Sequence, residues 1–491
     1  MTDPIFGISI NRTDDQALPA VTADMAVVGL VGTAPGANAQ TFPLDTPVLI
    51  FSDDATTMTA LGTTGSLPDQ ITLINEQLGD FQVASRIVIV RVEEGADEAA
   101  TIANLVGDPA LKTGMYALRL AGPQLGVVPR LIGVPGYTHQ RDTGVATLVI
   151  ATPGTGYAVN DPITGTGGGG TGFAGKVSAV DGTGAITGVT ITSGGSGYTG
   201  VPNLTITSAE GANGNITATI ADLANAVCAN LPALCSALLA HAVVSGPHST
   251  LTAFTDWRET LDSERLIPVE TWVKGGTLGT EMDSVGAILG LFVRRDHENN
   301  GRPFKSVANQ PIYGILAPNR YIEFSLDDGA TEGQQILAGN GGVILRGEAG
   351  VETAIASGGF IFVGTDNAGS DDLWRFYNVT RGRDYMHLRF LITARGYLGK
   401  YNITGQTIQA IINTAKSEFR DLQADGDILG YNVTFERDQN SPDNLRLGRF
   451  KLTFQAEEAP VLRYIGVNSG RYLPALDALL DDLTSQLATA T

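Results

Sequence analysis

Two runs of short β-branched strands alternating with helical segments, separated by a glycine-rich stretch nearly free of charge, constrain this chain more than any other feature of its sequence. Strands are expected at 26–31, 87–92 and 131–134, with helices at 69–80 and after Ala96. After the interruption come a helix from Ala221, a strand at 242–245, a helix at 250–264, a strand at 266–269 and a helix at 284–294. Strands that alternate with helices predict an α/β layer domain with a largely parallel sheet. The interruption, residues 146–220, holds 18 of the 61 glycines and only four charged residues, Asp161, Lys176, Asp181 and Glu210. It carries a weak repeat: Gly154-Thr155-Gly156-Tyr157 returns as Gly195-Ser196-Gly197-Tyr198, each followed within five residues by a proline, Pro162 or Pro202. Its β-branched, glycine-bounded segments read as an inserted all-β domain.

Glycine spacing in the insert imitates two nucleotide motifs. Gly170 to Gly175-Lys176 has the spacing of a phosphate-binding loop, but residue 177 is Val where a magnesium-binding hydroxyl is required, and no helix pattern follows. Gly165, Gly167 and Gly170 lack the preceding strand and following helix of a dinucleotide fingerprint. Neither predicts a nucleotide site, and no cofactor is expected. The five histidines, His139, His241, His248, His297 and His387, lack metal-ligand spacing, so no metal is expected. No nucleophile elbow is present, since Gly194-Gly195-Ser196-Gly197 is followed by Tyr198 rather than Gly. No catalytic residue is singled out.

With 491 residues the chain has room for two to four domains, and its formal net charge of −20 argues against direct nucleic-acid binding. No apolar run reaches the roughly 18 residues of a membrane span, so no membrane insertion is expected. The start has no basic patch followed by an apolar core, which predicts folding in a cytoplasm. Cys228 and Cys235 lie about 10 Å apart along a helix, too far for a mutual disulfide. They are either buried thiols or candidates for an inter-subunit disulfide.

The last third differs. Residues 1–293 hold 11 basic and 27 acidic side chains, a net of −16, whereas 294–491 hold 20 and 24, a net of −4. A long helix is expected over 371–400, broken near Gly382 and carrying Arg381, Arg383, Arg389 and Arg395 as either a solvated face or a docking surface for an acidic partner. An amphipathic helix follows, with Thr404 as cap and Gly426 as stop, then strands at 431–436 and 449–455. A leucine-rich amphipathic helix ends the chain. At the two ends, Phe6, Ile8 and Ile10 alternate with small residues, and Val461, Leu462, Tyr464, Ile465 and Val467 form a second apolar strand. Such terminal strands are either ordinary edges or arms that add to a neighbour's sheet.

The order of features resembles the tail sheath proteins of contractile-tailed bacteriophages. The resemblance is carried by the N-terminal arm, the opening strand from Ala26 to Pro35, the Arg302 to Pro311 segment, Leu373 to Arg381, the turn from Asp425 to Gly430 and the run Gly448 to Phe454. It implies a structural subunit, not an enzyme, in the tail sheath of a virion assembled in the host bacterial cytoplasm. It also implies a helical homo-oligomer with six copies per ring around a tail tube, contacting the tube, baseplate and tail terminator proteins. Contraction would drive the tube through the host envelope. Phe6, Ile8, Ile10, Val461, Leu462, Tyr464, Ile465 and Val467 are then candidates for strand exchange, and the four arginines for the tube-facing surface. The expected fold combines α/β and α+β domains: an arm (1–25), an outer α/β layer domain (26–145 and 221–298), the inserted β domain (146–220), a carboxyl α+β core domain facing the tube (299–456), and a carboxyl arm with its helix (457–491). The alternatives are an α/β hydrolytic enzyme with an appended β module, or a virion surface protein that binds glycans through the insert.

Overall fold

In the computed structural model, which describes residues 24–78, 84–276 and 279–489, the core begins at β1 (Val28–Thr33), every residue of which is buried. The edge strand β2 (Pro47–Phe51) leads into α1 (Ala55–Leu61), whose first turn is closed by the Asp54 carboxylate accepting from the Thr56 and Thr57 N–H groups. Helix α2 (Leu67–Glu76) then returns to β3 (Arg86–Val92). The Asp97 side chain caps α3 (Glu98–Val106), and α4 (Ala121–Leu125) precedes β4 (Leu131–Gly133). The strand pleat sorts side chains to opposite faces: Val88, Val90 and Val92 enter one core, while Ile87 and Ile89 enter another.

The insertion consists of β5 (Thr143–Thr155), β6 (Pro162–Thr166), β7 (Thr171–Val180), β8 (Ile186–Ser196), β9 (Asn203–Ile206) and β10 (Ala212–Asp222). A four-stranded sheet, β8-β7-β6-β9, covers the β5–β10 ribbon around a separate core that includes Val145, Ile163, Phe173, Val177 and Ile216. The sequence repeat is a structural one. Strands β5 to β7 and β8 to β10 are two three-stranded units whose first strands are exchanged, so that β5 pairs with β10, β8 with β7, and β6 with β9. Tyr157 and Tyr198 each lie two residues beyond the equivalent strands β5 and β8 and bury their rings on glycines. A Cβ at Gly211 would lie 2.4 Å from the Tyr157 ring, and one at Gly170 would lie 2.5 Å from that of Tyr198. Gly175 and Lys176 sit inside the β7–β8 ladder, opposite Ile191 and Thr190, so the apparent phosphate loop is a strand.

The second run differs from expectation at its start. Ala221 belongs to β10, opposite Gly144, and α5 (Ala226–Leu238) begins only where the Asn225 side chain accepts from the N–H groups of Val227 and Cys228. Then come β11 (His241–Ser245), α6 (Leu251–Arg258) with Thr250 as cap, and β12 (Leu266–Val269). The six-stranded sheet has the order β12-β11-β4-β1-β3-β2, parallel except for β2. Strands β13 (Val273–Gly275) and β14 (Thr280–Met282) precede the buried α7 (Val285–Glu298). Beyond it lie β15 (Gln310–Ile312), β16 (Ile315–Pro318), α8 (Glu332–Ala338), β17 (Val343–Arg346) and β18 (Phe360–Val363). Val307, Ile312, Ile336, Val343, Phe362 and Tyr377 all pack into the two α/β cores, and Gly342 bridges to Val269. Continuous packing therefore runs past residue 298, because the β-branched segments after α7 complete faces that the parallel sheet leaves open.

Helix α9 (Tyr377–Arg395) passes through Gly382 without a break, contrary to the expected interruption. Glycine is needed there for approach rather than for a kink, since a Cβ would lie 2.6 Å from the Phe304 ring. Helix α10 (Gly405–Ala424), with Thr404 accepting from the Thr407 N–H, ends before Gly426, whose φ of 74° only glycine adopts readily. Strands β19 (Ile428–Thr434) and β20 (Thr453–Glu458) form a two-stranded sheet, with α11 (Pro442–Arg446) between them. Phe304, Tyr385, Met386, Phe419, Leu422 and Val433 make the core of this region. Residues 460–491 form a second unit, with no helix or strand over 460–472 and then α12 (Pro474–Thr489). No helix among the described residues is long and apolar enough to cross a membrane.

Candidate functional site

The arginines of α9 show how this chain uses its basic residues. Arg381 is fully buried; its Nη1 donates to Asp296 Oδ1 at 3.1 Å and its Nη2 to Oδ2 at 2.5 Å, and its guanidinium lies 4.8 Å from the centre of the Phe292 ring. Burial pushes the Asp296 carboxyl above its usual range and the Arg381 charge opposes that rise. One turn on, Asp384 receives Arg265, and the buried His241 ring lies beside both. Burial, reinforced by the cations of Arg265 and Arg381, holds His241 below its usual pKa, so the ring stays neutral and meets the Thr380 hydroxyl at 3.0 Å. These contacts fasten the first half of α9 to α7, β11 and the start of β12.

Two of the other expected tube-facing residues are also engaged within the chain. Arg383 donates from Nε to Glu458 Oε1 at 2.6 Å and stacks over Trp374, and Arg389 lies 3.7 Å from Glu418. Only Arg395 is exposed. Arg381 is therefore corrected from a docking residue to a buried anchor, because its charge is neutralised where no partner reaches. The sequence gives no sign of this, as its partner lies 85 residues away.

Of the two readings of the cysteines, the structure has the buried thiols and not the candidate inter-subunit disulfide. Cys228 and Cys235 are free thiols, 1% and 0% exposed, in the core between α5 and the sheet. Burial raises both thiols, that of Cys235 to about 12. Neither sulfur is accessible to a second chain, and neither is ionised at neutral pH.

Among the described residues no group of three His, Cys, Asp or Glu side chains is placed to hold a metal ion. A ring cluster of His139, His248 and Trp272 sits at the carboxyl edge of the parallel sheet, with His248 stacked 4.0 Å from Trp272 and His139 edge-on to both at 5.2 Å. It packs the loop after β11.

What the fold leaves open lies at the carboxyl end. The expected strand at 461–467 is not among the described strands, and Leu462, Tyr464, Ile465 and Val467 are 71–84% exposed. Leu476, Leu479, Leu480, Leu483 and Leu487 of α12 are exposed too. Strands β19 and β20 pair only with each other among the described strands, which leaves an open edge on each. The sequence predicts strands here but not their bare edges, which only pairing reveals. Phe6, Ile8 and Ile10 lie outside the described residues.

No family model matches the chain. In sequence it is 23% identical over 476 residues to the tail sheath protein of Escherichia phage P2, covering 94% of each chain. It is 38% identical over 153 residues to the major tail sheath protein of Serratia phage KSP20, covering 30% of this chain and 38% of that one. In fold it is similar to the sheath of an extracellular contractile injection system, the PVC sheath complex in its contracted state, with a TM-score of 0.58, 10% identity and coverage of 97% and 99%. These relatives are structural proteins, not enzymes. Along almost its whole length the chain is similar in sequence to a phage tail sheath protein, and it shares the fold of a contractile sheath.

Proposed function

We propose that this protein is the repeating subunit of a virion tail sheath, assembled in a bacterial cytoplasm as stacked six-membered rings around a tail tube and ending at baseplate and terminator proteins. In this reading 461–467 and 6–11 leave their own chain and add to a neighbour's sheet, where main-chain hydrogen bonds survive while the contacts between subunits change. The observation that carries it is the exposure of the apolar side chains Leu462, Tyr464, Ile465 and Val467 in a chain whose β19–β20 sheet has two open edges among the described strands. Energy stored in the extended lattice at assembly makes a nucleotide unnecessary. The tube-facing surface falls to the exposed side of α10, with Lys416 and Arg420, rather than to the engaged arginines of α9.

Electron microscopy of the purified chain tests the reading, with hollow striated cylinders as the expected result. Ile465→Pro, which removes a ladder donor, should abolish them while leaving the fold of the remainder intact. Wild-type particles that stay monomeric at high concentration, with or without tube protein, overturn it.

A further inference from the structure

We propose that α12 of one copy docks on the exposed outer stripe of α9 in a second copy, an interface that rests on the sheath reading above. Leu476, Leu480, Leu483 and Leu487 recur at steps of four, three and four, the spacing of a helix–helix seam, and all are solvent-exposed. Sixteen residues make too short a seam to stand alone in water, and two α12 helices facing each other would bring six carboxylates together, from Asp477, Asp481 and Asp482 of each copy, with no cation in either helix. The acceptor must therefore be apolar and basic.

The free end of α9 has that character. His387, Leu391 and Arg395 follow one another at four-residue steps, and Leu398 continues the line just beyond the helix. A stripe of this kind ordinarily faces a core, yet Leu391 and Leu398 are exposed. Arg395 and the nearby Lys400 have no carboxylate partner among the described residues, so an acidic helix finds both charge and apolar area here.

Chain length supports the choice of a second copy. His387 and Phe390 of α9 lie 5.7 and 6.5 Å, ring centre to ring centre, from Phe454 of β20. From Val467 to Pro474 is seven residues, a reach of roughly 25 Å when extended. A strand added to a neighbour's β19–β20 sheet thus delivers α12 to the α9 of that same neighbour.

Mixed-tag crosslinking decides the matter. One full-length population carries Leu480→Cys and a first tag, the other Leu398→Cys and a second; Cys228 and Cys235 are buried and do not compete. After co-assembly and oxidation, the expected product is a disulfide-linked pair bearing both tags. Cylinders without a mixed-tag pair overturn the proposal and leave the sheath reading standing; failure of wild-type chains to form cylinders overturns both. In addition, Arg395→Glu should raise the critical concentration for assembly about fivefold, and Asp477→Lys in the same chain should restore it. Loss without rescue counts against the docking.

Discussion

Arg381 and Asp296 are both about 1% exposed, so removing either leaves an unpaired charge in the core. Arg381→Ala should cost about 3–5 kcal/mol in denaturant unfolding, whereas Arg381→Met with Asp296→Leu should recover most of that loss. His139 gives a pH signature. Burial, with a smaller contribution from His248, lowers its pKa from 6.5 to about 4. The folded state thus resists protonating this ring: the stability it contributes is full above pH 6.5 and is lost as pH falls towards 4. The drop in unfolding midpoint between pH 7 and pH 5 should be smaller in His139→Gln than in the wild type. Neither residue's role is legible in the sequence. A run of arginines reads as a surface, and what buries one of them is a carboxylate on another helix. Nor does anything around Cys228 and Cys235 separate an inner wall from an outer one.

Elements were more legible than single side chains, because alternation and period are local. The parallel sheet, the Thr404 cap and the glycine-rich insertion can all be read from neighbouring residues. The start of α5 and the continuity of α9 cannot: the first is decided by ladder pairing with Gly144 and the second by an aromatic ring on another segment. The insertion enters and leaves at adjacent points, with Thr143 opposite Asp222 and the Leu223 N–H donating to the Asp142 carbonyl at 2.9 Å. Joining Asp142 to Leu223 should therefore lower the melting temperature of the remaining protein by less than about 4 °C. Unchanged cylinder formation by that variant would separate the insertion from the proposed polymerisation.

For the whole molecule, every buried apolar cluster among the described residues lies before residue 460, so a chain ending at Ala459 should keep its cooperative unfolding transition and lose polymerisation. Sedimentation with parallel thermal melting checks both halves of that statement. The sequence shows apolar segments near its two ends; the bare sheet edges emerge from β19 meeting β20, a non-local pairing that no window of residues displays. The bare edges of β19 and β20 also bear on how a free subunit survives before it is used. Such a chain is a ready template for its own kind, and what keeps copies apart in dilute solution is mutual repulsion from a net charge of −20. That repulsion weakens as the screening length shrinks from about 30 Å at 0.01 M salt to about 8 Å at 0.15 M. Ionic strength, with no ligand involved, would then act as the clock that decides when stored subunits become a polymer.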